Sequence, residues 1–135
     1  MYFKHKYAFL SNMYPCTIHA TIGEKEYTFS CVESAYQAHK CPKRVEEFLT
    51  LNGYEAKRLA KTVKLRSDWE DIKVDLMEKL VKQKFQNQAL KEKLKAIEGE
   101  IVETNNWGDR FWGKCYGKGL NILGTILMKI RDDIS

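Results

Sequence analysis

The sequence predicts a mainly helical fold in one compact unit, with a short β-hairpin near its N-terminus. Apolar residues alternate on both sides of Gly23, the period-two signature of a ribbon with one covered face. Two capping-box patterns, Ser30-Cys31-Val32-Glu33 and Ser67-Asp68-Trp69-Glu70, open stretches of helical character. No repeat, low-complexity tract or Pro/Gly/Ser-rich linker divides the 135 residues, and the only prolines are Pro15 and Pro42. A chain of this length fits one domain, here residues 1–135, and can bury most of its apolar surface.

The elements follow in order. Over residues 17–29, Ile18, Ala20 and Ile22 alternate before the turn at Gly23-Glu24-Lys25, and Tyr27 and Phe29 alternate after it. The first capping box starts a helix that runs to about Lys40, where Pro42 opposes continuation. Residues 44–51 and 54–62 read as two short helices separated by Asn52-Gly53, a C-cap and turn. The second box opens the strongest helix, with Trp69, Ile72, Leu76, Leu80 and Phe85 in a three-to-four residue rhythm. A shorter helix follows near 88–96, then an edge strand at 100–103 and a loop over 105–119 rich in Gly, Trp and charge. An amphipathic helix over 121–132, with Leu123, Leu127 and Ile130 on one face, ends the chain.

Composition excludes several classes. Hydrophobic residues make up 44% and charged residues 30%, the proportions of a globular chain rather than a disordered one. No apolar run is long enough to span a bilayer, and the segment Met1-Tyr2-Phe3-Lys4-His5 lacks the apolar stretch of a secretory signal, so a cytoplasmic chain is expected. Cys16, Cys31, Cys41 and Cys115 form no C-x-x-C pair, and His5, His19 and His39 stand at no ligand spacing. Reduced thiols and no metal are therefore expected. The net charge of +5 suits a phosphate-bearing partner, but the lysines are spread along the chain with no basic block.

Three constellations have the residue types for chemistry. Glu33, Tyr36, Gln37 and Lys40 are spaced three, four and seven apart, along one side of the first helix. Glu33 and Lys40 lie about 10 Å apart along the axis at about 1.5 Å per residue, too far for a simple surface pair, so both can act on something between them. The competing reading is that Glu33 closes its capping box and Lys40 complements the helix dipole. In Asn106-Trp107-Gly108-Asp109-Arg110-Phe111-Trp112-Gly113, two tryptophans flank an aspartate: the rings can stack a base, and the carboxylate can stabilise an oxocarbenium-like centre or activate water. The alternative is that a tryptophan anchors the loop in the core. Gly117-Lys118-Gly119-Leu120-Asn121 leads into the last helix with a cation and N–H groups suited to phosphate, although an N-cap at Asn121 explains it as well. Asn12, in Phe9-Leu10-Ser11-Asn12-Met13-Tyr14-Pro15, lines a pocket or leads into the hairpin.

Taken together, Phe9-Leu10-Ser11-Asn12 with Tyr14-Pro15, then Val32-Glu33 with Tyr36-Gln37-Ala38 and Lys40, resemble the opening motifs of the NADAR superfamily, known from its YbiA-like members. Trp69 with Met77, Lys84-Phe85-Gln86-Asn87, Glu103, Asp109 with Trp112-Gly113, and Asn121 with Leu123-Gly124, Leu127-Met128 and Arg131 resemble the remaining blocks in sequence. The resemblance implies a compact α+β fold, mainly helical, and hydrolysis of an N-glycosidic bond without metal or cofactor. The implied substrate is a phosphorylated ribosyl or ADP-ribosyl compound: ADP-ribosylated guanine in nucleic acid, or phosphorylated intermediates of riboflavin synthesis. It places Glu33, Lys40 and Asp109 at the reacting centre, with Trp112 and Gly113 shaping the pocket and Asn12 and Asn121 binding. Tyr36, Gln37 and Lys118 complete the candidate binding set.

Three departures bear on substrate choice. Met13 stands where many members have Phe, Ser34 where His is frequent, and Ile97-Glu98-Gly99 where a Thr-Gly is common. Two mechanisms stay open: attack by a neutral Lys40 to give a ring-opened imine, or attack by water activated by Glu33 or Asp109. The non-enzymatic alternative is a module that holds ADP-ribose or a related nucleotide without cleaving it.

Overall fold

The computed structural model describes residues 1–134, and the chain divides into two compact units, Asn12–Lys84 and Met1–Ser11 with Phe85–Ser135.

The Asn12–Lys84 unit begins with the expected hairpin. Strands β1 (Ile18–Ile22) and β2 (Lys25–Phe29) pair antiparallel, with Ile18 opposite Phe29 and Ile22 opposite Lys25. Gly23 holds the turn at φ +68°, a left-handed conformation that glycine adopts without steric cost. Ile18, Ile22 and Phe29 are buried. Helix α1 (Val32–Ala38) starts one residue later than the capping box implied. Ser30 donates its hydroxyl to Leu51 O at 3.1 Å, so Cys31 is the N-cap, its sulfur accepting from Ser34 N–H at 3.4 Å. All seven residues of α1 are buried, so the helix has no solvent face.

Residues 44–51 form no α-helix; a 3₁₀ segment covers Pro42–Phe48. Asn52 begins the next helix instead of ending this one. Its Oδ1 accepts from Glu55 N–H and Glu55 Oε1 accepts from Asn52 N–H, both at 2.9 Å, a complete capping box for α2 (Gly53–Ala60). Helix α3 (Trp69–Lys84) buries Trp69, Met77, Leu80, Val81 and Lys84. Its buried face is rotated from the expected one, because Ile72 and Leu76 are only half-buried.

In the other unit, α4 (Gln88–Lys95) is capped by Asn87, whose Oδ1 accepts from Leu90 N–H at 3.1 Å. The expected edge strand at 100–103 is absent. Its backbone is claimed by a side chain: Asn121 donates Nδ2–H to Ile101 O at 3.0 Å and accepts from Glu103 N–H at 2.9 Å. Pairing starts one residue on, between the two-residue parallel strands β3 (Thr104–Asn105) and β4 (Lys114–Cys115). Helix α5 (Ile122–Asp133) buries Leu123, Gly124, Ile126, Leu127 and Ile130. Among the described residues, no helix is long and apolar enough to cross a membrane.

Candidate active site

The Asn12–Lys84 unit holds the helix-face constellation. Because Cys31 is the N-cap, Glu33 is the second residue of α1 and stands outside a capping box. Its Oε1 accepts from Gln37 Nε2 at 2.8 Å, one turn on along the same face. The backbone of Glu33 is fixed as well, its N–H donating to Asn12 O at 2.9 Å. Asn12 therefore reaches α1 through its main chain, while its Nδ2 meets Met77 Sδ at 3.4 Å. Both Glu33 and Gln37 are buried, and Gln37 Oε1 has no protein partner among the described residues.

Lys40 lies just past the helix, half-buried. Its carbonyl accepts from Arg66 N–H at 2.9 Å, and the Arg66 guanidinium is itself held by both Asp68 oxygens, at 2.6 and 3.0 Å. The Lys40 ammonium faces aromatic rings: Nζ is 5.5 Å from the Trp69 centroid and 5.8 Å from the Tyr36 centroid, rings that pack on each other at 5.0 Å. It forms no salt bridge among the described residues. Burial lowers its pKa below the ordinary lysine value; Glu33 opposes that shift, and Lys57 and Lys73 add to it. The result is an amine held over flat rings beside a buried carboxylate, with two further cations on α2 and α3.

Close packing sets this geometry. Gly53, at the start of α2, leaves no room for a side chain: a Cβ there would run into Met13 Sδ and lie 3.1 Å from Glu33 Cβ and 3.4 Å from Cys31 Sγ.

The other unit holds the remaining candidates. Asn105, buried, clamps the tryptophan loop: it donates Nδ2–H to Glu103 Oε2 at 3.0 Å and to Asp109 O at 2.8 Å, and accepts from Asp109 N–H at 3.0 Å. Asp109 Oδ1 in turn accepts from Phe111 N–H at 3.0 Å and Trp112 N–H at 2.9 Å. Its Oδ2 has no protein partner among the described residues. Trp112 packs edge-on to Phe111 at 4.9 Å and is half-buried, whereas Trp107 is exposed, so neither tryptophan is a core anchor. Gly113 is required by contact, since a Cβ there would collide with the Glu103 carboxylate and carbonyl.

The start of α5 differs from expectation. The N–H groups read as suited to phosphate are occupied: Leu120, Asn121, Ile122 and Leu123 donate to the carbonyls of Arg110, Gly113, Phe111 and Trp112. Asn121, left-handed at φ +53°, precedes the helix without capping it, and both its amide atoms serve the 101–103 backbone. Lys118 is exposed. Among the described residues, no three His, Cys, Asp or Glu side chains cluster as metal ligands.

The structure thus joins Glu33, Tyr36, Gln37 and Lys40 in one unit, and Asp109, Trp112, Gly113 and Asn121 in the other. Sequence reasoning missed Trp69 as an aromatic face for Lys40, because a tryptophan opening an amphipathic helix reads as core. It also missed Asn105, a buried amide for which an irregular loop gives no periodic signal.

The model of the NADAR domain matches residues 1–135. A riboflavin biosynthesis protein of Vibrio vulnificus is 35% identical over 135 residues, 95% of this chain and 36% of that protein. An N-glycosidase of Nostoc punctiforme is 32% identical over 138 residues, 95% of this chain and 86% of that protein. The NMR structure of the Escherichia coli protein YbiA is similar with a TM-score of 0.80 at 29% identity, covering 99% of this chain and 83% of that one. The chain spans only 20% to 36% of the length of the riboflavin biosynthesis proteins it matches. The mainly helical α+β fold with its N-terminal hairpin agrees with the YbiA likeness.

Proposed function

Because the chain belongs to the NADAR domain family, we propose that it is an N-glycosidase, a hydrolase that cleaves the bond between a ribosyl carbon and the nitrogen of a base. The observation that carries the reading is the Lys40 amine, held over Trp69 and Tyr36, without a salt bridge among the described residues and two residues past the helix that carries the buried Glu33. The name of the Nostoc relative supports the reaction type.

In this reading the neutral Lys40 amine adds its lone pair to the ribosyl carbon as the bond to the base breaks. The base leaves with the bonding pair and takes up a proton. Loss of a proton from the new C–N nitrogen and opening of the ring give an imine, and water hydrolyses it to release the sugar and regenerate the lysine. Burial favours the neutral amine that the first step needs, and the buried Glu33 carboxylate offers negative charge to the cationic carbon. Lys57 and Lys73, whose charges reach Lys40, suit a substrate that carries phosphate.

The substrate is a phosphorylated ribosyl or ADP-ribosyl compound. The Vibrio relative is named for riboflavin biosynthesis, which favours an intermediate of that synthesis, and ADP-ribosylated guanine is the second candidate. On the family resemblance, Asp109 is a second carboxylate of the reaction, available through Oδ2. On the same resemblance Asn12, Tyr36, Gln37, Trp112, Gly113 and Lys118 belong to substrate binding, whereas the Asn121 amide is spent on the 101–103 backbone.

Mass-spectrometric turnover of both substrate classes by wild type, Glu33→Gln and Lys40→Arg tests this, with borohydride added during turnover. Release of free base by wild type, loss of at least about 100-fold in either variant and a reduced adduct at Lys40 are expected. Turnover without an adduct would leave water as the nucleophile. Binding without turnover in every case would make the chain a nucleotide-binding module and overturn the reading.

A further inference from the structure

Gln37 leaves one hydrogen-bonding atom unused. Gln37 is 4% exposed, its Nε2 donates to Glu33 Oε1 at 2.8 Å, and its Oε1 has no hydrogen-bond partner among the described residues. The orientation of an amide is ambiguous in isolation, but here the neighbour decides it. Turning the group over would set Gln37 Oε1 against the Glu33 carboxylate, acceptor against acceptor. The carboxylate therefore fixes the nitrogen on its side and leaves the oxygen unmatched.

Buried acceptors are nearly always satisfied, and leaving one unmade is destabilising. A stable core has a cheaper solution, an apolar side chain of similar volume. Gln37 lies four residues after Glu33, to which its amide is bonded, and three before Lys40, so it stands between the two groups assigned to the reaction. Glu33 and Gln37 hold acceptors inside α1, and Lys40, two residues past its end, holds an amine. A ligand there meets an acceptor that only an O–H or N–H can satisfy.

We propose that Gln37 Oε1 is a specificity-determining acceptor, which selects ligands carrying an O–H or N–H donor within its reach. The inference rests on the N-glycosidase reading for the place of the ligand, and it adds the donor that ligand must carry. Two parts of an N-ribosyl compound supply such a donor: a ribose hydroxyl or a ring N–H of the base. A ligand lacking it leaves Oε1 buried and unmatched, which loses affinity by about tenfold or more.

The test measures binding of guanosine 5′-monophosphate, its 2′-deoxy analogue and its N1-methyl analogue by calorimetry, with turnover followed in parallel. Wild type is expected to bind one of the two analogues at least about tenfold more weakly than the parent; the deoxy analogue reports a hydroxyl donor and the methyl analogue a ring N–H. In Gln37→Leu that penalty falls below about twofold. Should Gln37→Leu fold poorly, as thermal unfolding would reveal, Gln37→Asn keeps the amide but withdraws its reach, and it too should lose discrimination. Equal binding of all three by wild type, unchanged discrimination in both variants, or no binding of any of the three overturns the inference. Turnover without discrimination refutes the role of Gln37 and leaves the N-glycosidase standing. Discrimination without turnover of any substrate keeps the acceptor and removes the enzyme.

Discussion

Lys40 Nζ stands 5.5 Å from the centroid of the Trp69 ring, and its pKa is set by burial against two opposing electrostatic influences. Burial and the charges of Lys57 and Lys73 lower it, while Glu33 raises it. A nucleophilic amine acts only when neutral, so trapping of the borohydride adduct should rise with pH and level off below the ordinary lysine value of 10.5. The neighbours then give opposite signs. Glu33→Gln removes an attraction for the proton and moves the midpoint to lower pH; Lys57→Met removes a repulsion and moves it to higher pH. Profiles that shift in the same direction, or not at all, would show that another group governs the step.

Asn121 gives a prediction that separates structure from binding. Its amide bridges Ile101 O and Glu103 N–H, both in buried backbone, so Asn121→Ala strips a partner from each. Two buried groups left unmade cost about 2–6 kcal/mol. Urea unfolding should show a loss of that size. A variant that keeps its stability and instead raises KM would place Asn121 against the ligand.

Much of the fold was legible in the sequence where a periodic pattern met a specific turn. Gly23 between alternating apolar residues marked the hairpin, and the run after Trp69 marked α3, because both signals are local. The misplacements came from competition for the same groups. Ser30 looked like an N-cap but spends its hydroxyl on Leu51 O, which passes the cap to Cys31 and frees Glu33 from the box that would have made it structural. Asn52 looked like the end of one helix and is the start of the next, since Glu55 completes its box. The strand expected at 100–103 was lost to Asn121, 18 to 20 residues away, a contact no local pattern encodes. The Glu33, Tyr36, Gln37 and Lys40 face was visible from helical spacing alone; its aromatic partner on α3 was not.

Gly53 should be intolerant of substitution despite lying in a helix. Alanine there normally gains about 0.5–1 kcal/mol from lost chain entropy. Against this, the new Cβ would meet Met13 Sδ and come within 3.1 Å of Glu33 Cβ. The Met13 side chain can turn aside, but Glu33 Cβ moves only with α1. Gly53→Ala is therefore expected to lose about 1–2 kcal/mol of stability and to lower kcat through the displaced carboxylate. Adding Met13→Ala should restore part of the stability and little of the kcat; recovery of both together would mean that Met13 alone was the obstacle.

Lys84 is expected to make stability rise with pH above about 8. It is 3% exposed, Nζ lies 5.5 Å from the Tyr14 centroid, and burial pulls its pKa down to about 8 from 10.5. Below pH 8 the lysine is charged in both folded and unfolded chains, and the folded state bears the full cost of burying that charge. Between 8 and 10.5 the folded protein sheds its proton while the unfolded chain keeps it, so unfolding takes up a proton and stability rises with pH. Above 10.5 both are neutral and the cost is gone. At about 1.4 kcal/mol per pKa unit the rise amounts to about 3 kcal/mol. Cys16, whose thiol burial holds above its ordinary value, stays protonated through the lower part of this window. Lys84→Met keeps the apolar stem without the charge, so its advantage over wild type should shrink steadily as pH rises from 8. Urea unfolding of both proteins at pH 7, 8, 9 and 10 measures it, titrations of groups not coupled to Lys84 cancelling in the difference. Parallel stability curves would mean that Lys84 keeps an ordinary affinity for its proton inside the fold.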